Sequence, residues 1–220
     1  RRCRSAMNWL CGRVIFPLEQ ALGRLCSLTS VSIAEVLILS AVFIAILSLA
    51  WQIRCLILCP HRWRRVGRLG LRVLCAGLSV YAVFCLMWGV FYGANSFQDK
   101  SGLTARGGTP EELTALTLRF ADELAALAPQ MQRNERGCFA VPRQEIFDGA
   151  MTAYDGIVQV FDCLRKPTVP AKAFVSSRAM SQLDFSGFYF PFTGEANLND
   201  ESPACYLPAN ICHELAHQQG

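Results

Sequence analysis

The chain has 220 residues, 52% of them hydrophobic and only 17% charged, with a mean hydropathy of +0.27, a balance that excludes an ordinary soluble domain of this size. Its formal net charge of +4 does not mark a nucleic-acid binder, because the arginines gather around apolar stretches instead of forming a basic face with interleaved aromatics. The apolar excess lies before about Phe91, so a membrane part precedes an outer part with the composition of a water-soluble domain.

Residues 1–30 read as an amphipathic interfacial segment. From Trp9 onward, Leu10, Val14, Leu18, Ala21, Leu22 and Leu25 recur at helical spacing. Residues 31–93 hold two predicted transmembrane helices. The first, about 33–50, has Glu35 as its single acid and Trp51 as an interfacial anchor; the second, about 69–91, ends in Trp88, Phe91 and Tyr92. A soluble core helix seldom lacks a polar face over five turns. Between the spans, residues 52–68 carry Arg54, Arg62, Arg64, Arg65 and Arg68 and no acid, which the positive-inside rule places in the cytoplasm. Arg1, Arg2, Arg4, Arg13 and Arg24 then fall on the outer side, against the same rule; a chain that opens on Arg1 is expected to be trimmed, with a further span before it.

Residues 94–220 form the expected extracytoplasmic domain. Thr109, Pro110 and Glu112 signal a helix start, and Leu113, Leu116, Phe120, Leu124 and Leu127 give that helix one apolar stripe, expected to pack on a neighbour. A second scaffold helix, 143–164, is expected from Ile146, Ala150, Tyr154, Ile157 and Phe161. Short runs at 173–176, 187–190 and 192–199 predict a small sheet.

The chemistry lies at the end. His213-Glu214-Leu215-Ala216-His217 matches H-E-x-x-H and uses two of the three histidines in the chain. Histidines at i and i+4 share one helix face, so both imidazoles can bind one zinc ion, while Glu214 is placed to act as general base toward a water that the metal activates. Pro208 opens the helix, and Leu207, Ile211, Leu215 and Ala216 supply its buried side. A catalytic zinc takes a third protein ligand. His61 is excluded by its cytoplasmic loop. Glu195 is the upstream acid to weigh, as a ligand or, with Asn197, in a substrate-binding strand or behind the ligands. A ligand beyond Gly220 is the expectation, and the domain reads as C-terminally truncated.

The residues Phe190-Pro191-Phe192-Thr193-Gly194-Glu195-Ala196-Asn197-Leu198-Asn199, Leu207-Pro208 and Ile211-Cys212-His213-Glu214-Leu215-Ala216-His217-Gln218-Gln219-Gly220, with the looser matches Ile15-Phe16-Pro17 and Ser32-Ile33-Ala34-Glu35-Val36, carry a resemblance. They resemble a bacterial multi-pass membrane family of unknown function (domain-of-unknown-function family 3810) classed as zincin-like. The resemblance implies another span before Ile15, which would make residues 1–30 an extracytoplasmic connection, and an acidic segment after the histidine helix that donates a glutamate ligand. It implies no substrate.

Of eleven cysteines, seven lie at or before Cys85, where they act as small apolar residues. Cys138, Cys163, Cys205 and Cys212 are free to form up to two disulfides on an oxidising outer side. Cys212 beside His213 points about 100° away from it on a helix, and a metal pair at Cys55 and Cys59 is weakly signalled. The expected fold class is therefore α+β, with N-terminal transmembrane helices followed by a mainly helical zincin-like domain with a small sheet. The expected function is a multi-pass cell-membrane zinc metallopeptidase acting on an extracytoplasmic peptide or protein. Its rival is a non-catalytic membrane sensor or assembly protein with a structural or vestigial metal site. Intramembrane cleavage ranks below both, on the expectation that the motif lies far from the spans.

Overall fold

The computed structural model describes residues 2–58, 62–104 and 106–219. Helix α1 (Arg2–Leu10) runs through a π-helical turn (Cys11–Ile15) into α2 (Phe16–Cys26). The wide turn sits just before Pro17, which lacks an N–H, and is closed by the Phe16 N–H on the Cys11 carbonyl. Cys11, Ile15, Glu19 and Gly23, four residues apart, form the buried face of this rod. The predicted stripe faces away: Val14 is 40%, Leu18 45% and Leu25 63% exposed.

Helices α3 (Ile33–Leu58) and α4 (Arg62–Met87) follow. Both extend past their predicted cytoplasmic ends into the arginine-rich segment, and α4 stops before the predicted aromatic end, which becomes a 3₁₀ turn at Gly89–Gly93. Cys59, Pro60 and His61 lie outside the described residues, as does Gly220. Both helices are long and apolar enough to cross a membrane, and only 11% of the apolar window of the first and none of the second is buried in protein. A soluble core helix would be mostly covered.

The short helix α5 (Phe97–Ser101) and α6 (Pro110–Leu127) each begin with a capping box, Ser96 with Asp99 and Thr109 with Glu112. The expected packing of α6 is not made. Leu113, Leu116, Phe120, Leu124 and Leu127 are 48–67% exposed, and no residue of the helix is buried; its caps and helix-forming residues set its extent. Helix α7 (Arg143–Val160) ends before the predicted Leu164, and buries Ile146, Ala150 and Tyr154.

The sheet has three strands, β1 (Lys172–Phe174), β2 (Gly187–Phe190) and β3 (Glu195–Asn199), in the order β1-β3-β2. Strand β3 is central, parallel to β1 and antiparallel to β2, with Tyr189 opposite Ala196 and Gly187 opposite Leu198. Helix α8 (Ser177–Gln182) joins β1 to β2, and α9 (Leu207–Ala216) follows β3. Alternation along β3 sends Ala196 and Leu198 into the core formed with Ile146, Ala150 and Tyr154 of α7 and Leu207, Ile211 and Leu215 of α9. Glu195, Asn197 and Asn199 take the other face, and all five residues of the strand are buried. In the turn between β2 and β3, Gly194 has φ 66°. A Cβ there would overlap the Glu19 carbonyl, so the α2 backbone rests directly on this turn.

Candidate metal centre

Helix α9 is held on both sides before it presents its motif. Leu207, Ile211 and Leu215 are at most 1% exposed, whereas Ala216, expected inside, is exposed. The Tyr154 hydroxyl donates to the Cys212 carbonyl at 2.7 Å. At the far end Gln218 Nε2 donates to the Val169 carbonyl at 2.8 Å, and Gln20 Nε2 donates to the Gln218 carbonyl at 3.2 Å. The α-helix ends at Ala216 and His217 opens a 3₁₀ turn, so the second histidine sits where the helix is pinned.

The His213 and His217 rings are 4.9 Å apart between centres, at 85° to each other. Imidazoles bound at about 2.0–2.1 Å to one tetrahedral zinc have ring centres about 5 Å apart, so the pair fits such an ion. Burial and the neighbouring His213 lower the pKa of His217, which favours the neutral imidazole that a metal requires. Between them in sequence, Glu214 is 5% exposed. Its Oε2 is buried without a hydrogen-bond partner among the described residues, and burial raises its pKa to about 7. A buried orphan carboxylate oxygen is costly in a purely structural residue. Strand β2 makes room for it: a Cβ on Gly187 would come within 2.8 Å of Glu214 Cγ and 2.9 Å of its Oε1. Among the described residues no group of three or more His, Cys, Asp or Glu side chains is gathered to hold a metal. The chain thus brings together two imidazoles and a buried carboxyl.

Four residues that the sequence did not assign to the site complete the setting. The Trp88 ring lies 5.5 Å from His217 and 5.6 Å from Tyr189, and Tyr189 is 6.3 Å from His217. The Tyr189 hydroxyl donates to Glu19 Oε2 at 3.2 Å. Glu19 is 3% exposed, its Oε1 has no hydrogen-bond partner among the described residues, and burial raises its pKa to about 8, against the lowering effect of the Tyr189 bond. An acid in register with Cys11, Ile15 and Gly23 was the available sequence signal for Glu19. Gly187 carried no such signal, because its partner is 27 residues away in sequence.

Ionisation of Glu19 sets a pH dependence of stability. The unfolded chain releases this proton near 4.5 and the folded chain only near 8, so stability falls as pH rises between these values and levels off above them. Glu19→Gln is expected to raise stability at pH 8.5 by on the order of a few kcal/mol and to change little at pH 4.5. Thermal unfolding followed by circular dichroism at both pH values checks this; an equal effect at both contradicts it.

The side chains of Glu195 and Asn197 bond to β1, to β3 itself and to the start of α3. Glu195 Oε1 accepts from Lys172 Nζ at 2.7 Å and from the Ile33 N–H at 3.1 Å, and Oε2 accepts from the Ala34 N–H at 2.8 Å. Burial pushes the carboxyl upward, but Lys172 and these N–H donors prevail and hold it below the usual carboxylate range. The Ser32 hydroxyl donates to Asn197 Oδ1 at 2.5 Å. One turn on, Glu35 accepts the Val175 and Ser176 N–H groups at 2.8 and 2.7 Å. These side chains fasten the first turn of α3 to the sheet. The cysteines considered for disulfides, Cys138, Cys163, Cys205 and Cys212, are all free thiols.

A family model described as "Protein of unknown function (DUF3810)" matches residues 13–220, nearly the whole chain. No curated protein and no solved structure matches.

Proposed function

We propose that this chain, which belongs to the DUF3810 family of proteins of unknown function, is a membrane-anchored zinc metallopeptidase with its metal site on the extracytoplasmic side. The observation that carries the reading is the pairing of two imidazoles set edge-on, 4.9 Å apart between ring centres, with an adjacent buried carboxyl whose Oε2 has no hydrogen-bond partner among the described residues. His213 and His217 would hold the ion, which when bound supplies Lewis-acid activation of a water and a carbonyl. Glu214 would take the proton of the attacking water at Oε2. A carboxyl in this position can accept that proton and pass it to the leaving amine. Tyr189 and Trp88 pack against His217 and restrict its ring. The uncovered apolar surfaces of α3 and α4 support the anchoring. The arginines at the opposite end of the helix pair from the sheet support the outer placement of α9.

The test is metal content followed by hydrolysis. The full-length protein, dialysed against metal-free buffer, is expected to keep about one zinc per chain, as catalytic zinc proteins do, and to cleave members of a quenched peptide library. His213→Ala and His217→Ala are each expected to lose the ion. A protein that retains zinc but cleaves no peptide would favour a non-catalytic sensor or assembly role; one that retains no zinc would overturn the metal reading.

A further inference from the structure

We infer that the substrate of this site is a membrane-tethered polypeptide, cut in the segment just outside its anchor. The inference rests on the hydrolytic reading above and adds the substrate class. The motif was expected to lie far from the spans, and it does not. Trp88 is the first residue beyond α4, and its ring packs 5.5 Å from that of His217, so a single aromatic side chain separates the end of a spanning helix from a metal ligand. The neighbouring end of α3 is fixed to the same unit, because the N–H groups of Ile33 and Ala34 bond to Glu195 of β3 and Glu35 bonds to the Val175–Ser176 backbone. Two antiparallel spans are thus fastened at adjacent ends to the sheet that carries α9, with no flexible linker between them and the site.

The rod α1–α2 extends this layer. It turns Cys11, Ile15, Glu19 and Gly23 to the protein and leaves Trp9 63%, Leu18 45% and Leu25 63% exposed, with Leu28 beyond it at 79%. A helix with one face on protein and an apolar face outward, level with span ends, lies in the headgroup region, about 5–10 Å deep. Tryptophan beside a span end prefers the same layer. A site at this height meets chains anchored in the same bilayer at millimolar effective concentration, which raises apparent affinity by about 10²–10⁴-fold over a free chain.

The experiment uses the full-length protein in phosphatidylethanolamine–phosphatidylglycerol vesicles and has two readouts. A variant keeping Trp88 as its sole tryptophan (Trp9, Trp51, Trp63 and any tryptophan outside residues 1–220 each changed to Phe) is quenched with lipids brominated at shallow or deep acyl positions. Stronger quenching by the shallow bromines is expected; no quenching by either removes the placement whether or not the protein is active. Two quenched-fluorophore libraries share one randomised segment, which either follows a leucine-rich spanning anchor directly or is free in solution. The anchored library is expected to be cut at about 100-fold lower bulk concentration. Equal cleavage of both overturns the substrate class and leaves the hydrolytic reading intact. Cleavage of neither, with Trp88 quenched, overturns the hydrolytic reading and the substrate class with it.

Discussion

Glu214→Gln is expected to lower turnover by about 10²–10⁴-fold, the usual contribution of a positioned general base, while leaving zinc bound and the fold intact. The side chain lies under Gly187, in a space that a Cβ at that position would fill. A glutamine has the same shape and keeps that packing, so the loss does not come from misplacement. Nor does it come from unfolding. Burial raises the Glu214 pKa from 4.5 to about 7 in the absence of metal, so its ionisation costs stability as pH rises through that interval, and removing the charge relieves the cost. The metal-free variant is expected to melt no lower than the parent at pH 8. Zinc content, melting temperature and peptide turnover measured on the same preparation separate the contributions. Turnover unchanged in Glu214→Gln would remove Glu214 as the base and with it the proposed reaction.

The features legible in the sequence were those set by nearest-neighbour spacing. Pro208, the apolar positions Leu207, Ile211 and Leu215, and the i, i+4 histidines placed α9 and its motif, because helical periodicity is a local property. Strand β2 matched its predicted range, and β3 fell within its predicted run. What failed depended on partners distant in the chain. The apolar stripe of α6 was expected to be buried, but burial needs a second surface, and none covers it among the described residues. In α1–α2 the outward leucine stripe was legible, but the opposite face that packs on protein, Cys11, Ile15, Glu19 and Gly23, was not, because it mixes one apolar residue with an acid, a cysteine and a glycine. Trp88 read as an interfacial anchor, and only the folded chain places it on His217. The same limit applies to Glu195. As the acid upstream of the motif it was weighed for a role toward metal or substrate, whereas its hydrogen-bond partners come from β1 and from α3, 161 and 162 residues earlier.

That distinction yields the second large expected effect. Lys172 and Glu195 have side chains 6% and 0% exposed. The Lys172 ammonium also donates to the carbonyls of Cys26 at 2.7 Å and Val31 at 2.9 Å, so the ion pair closes both ends of the turn between α2 and α3. Glu195→Ala leaves that ammonium buried without its counter-charge and strips the first N–H groups of α3 of their acceptor. Breaking a buried pair in this way typically costs about 3–5 kcal/mol, while replacing both partners with apolar groups of similar size is often far milder. Glu195→Ala and Lys172→Ala are therefore each expected to destabilise by about that amount, and the double variant Lys172→Met with Glu195→Leu to recover most of it. Because the carboxyl is held below the ordinary range, its contribution is present at neutral pH and is lost as pH falls through its folded pKa, below 4.5. Denaturant unfolding in detergent at pH 7 and in a series of buffers descending from pH 4.5 measures both statements. If Glu195→Ala instead costs under about 1 kcal/mol yet abolishes zinc retention or turnover, the carboxylate serves the metal or the substrate, and the clamp on α3 is not its function.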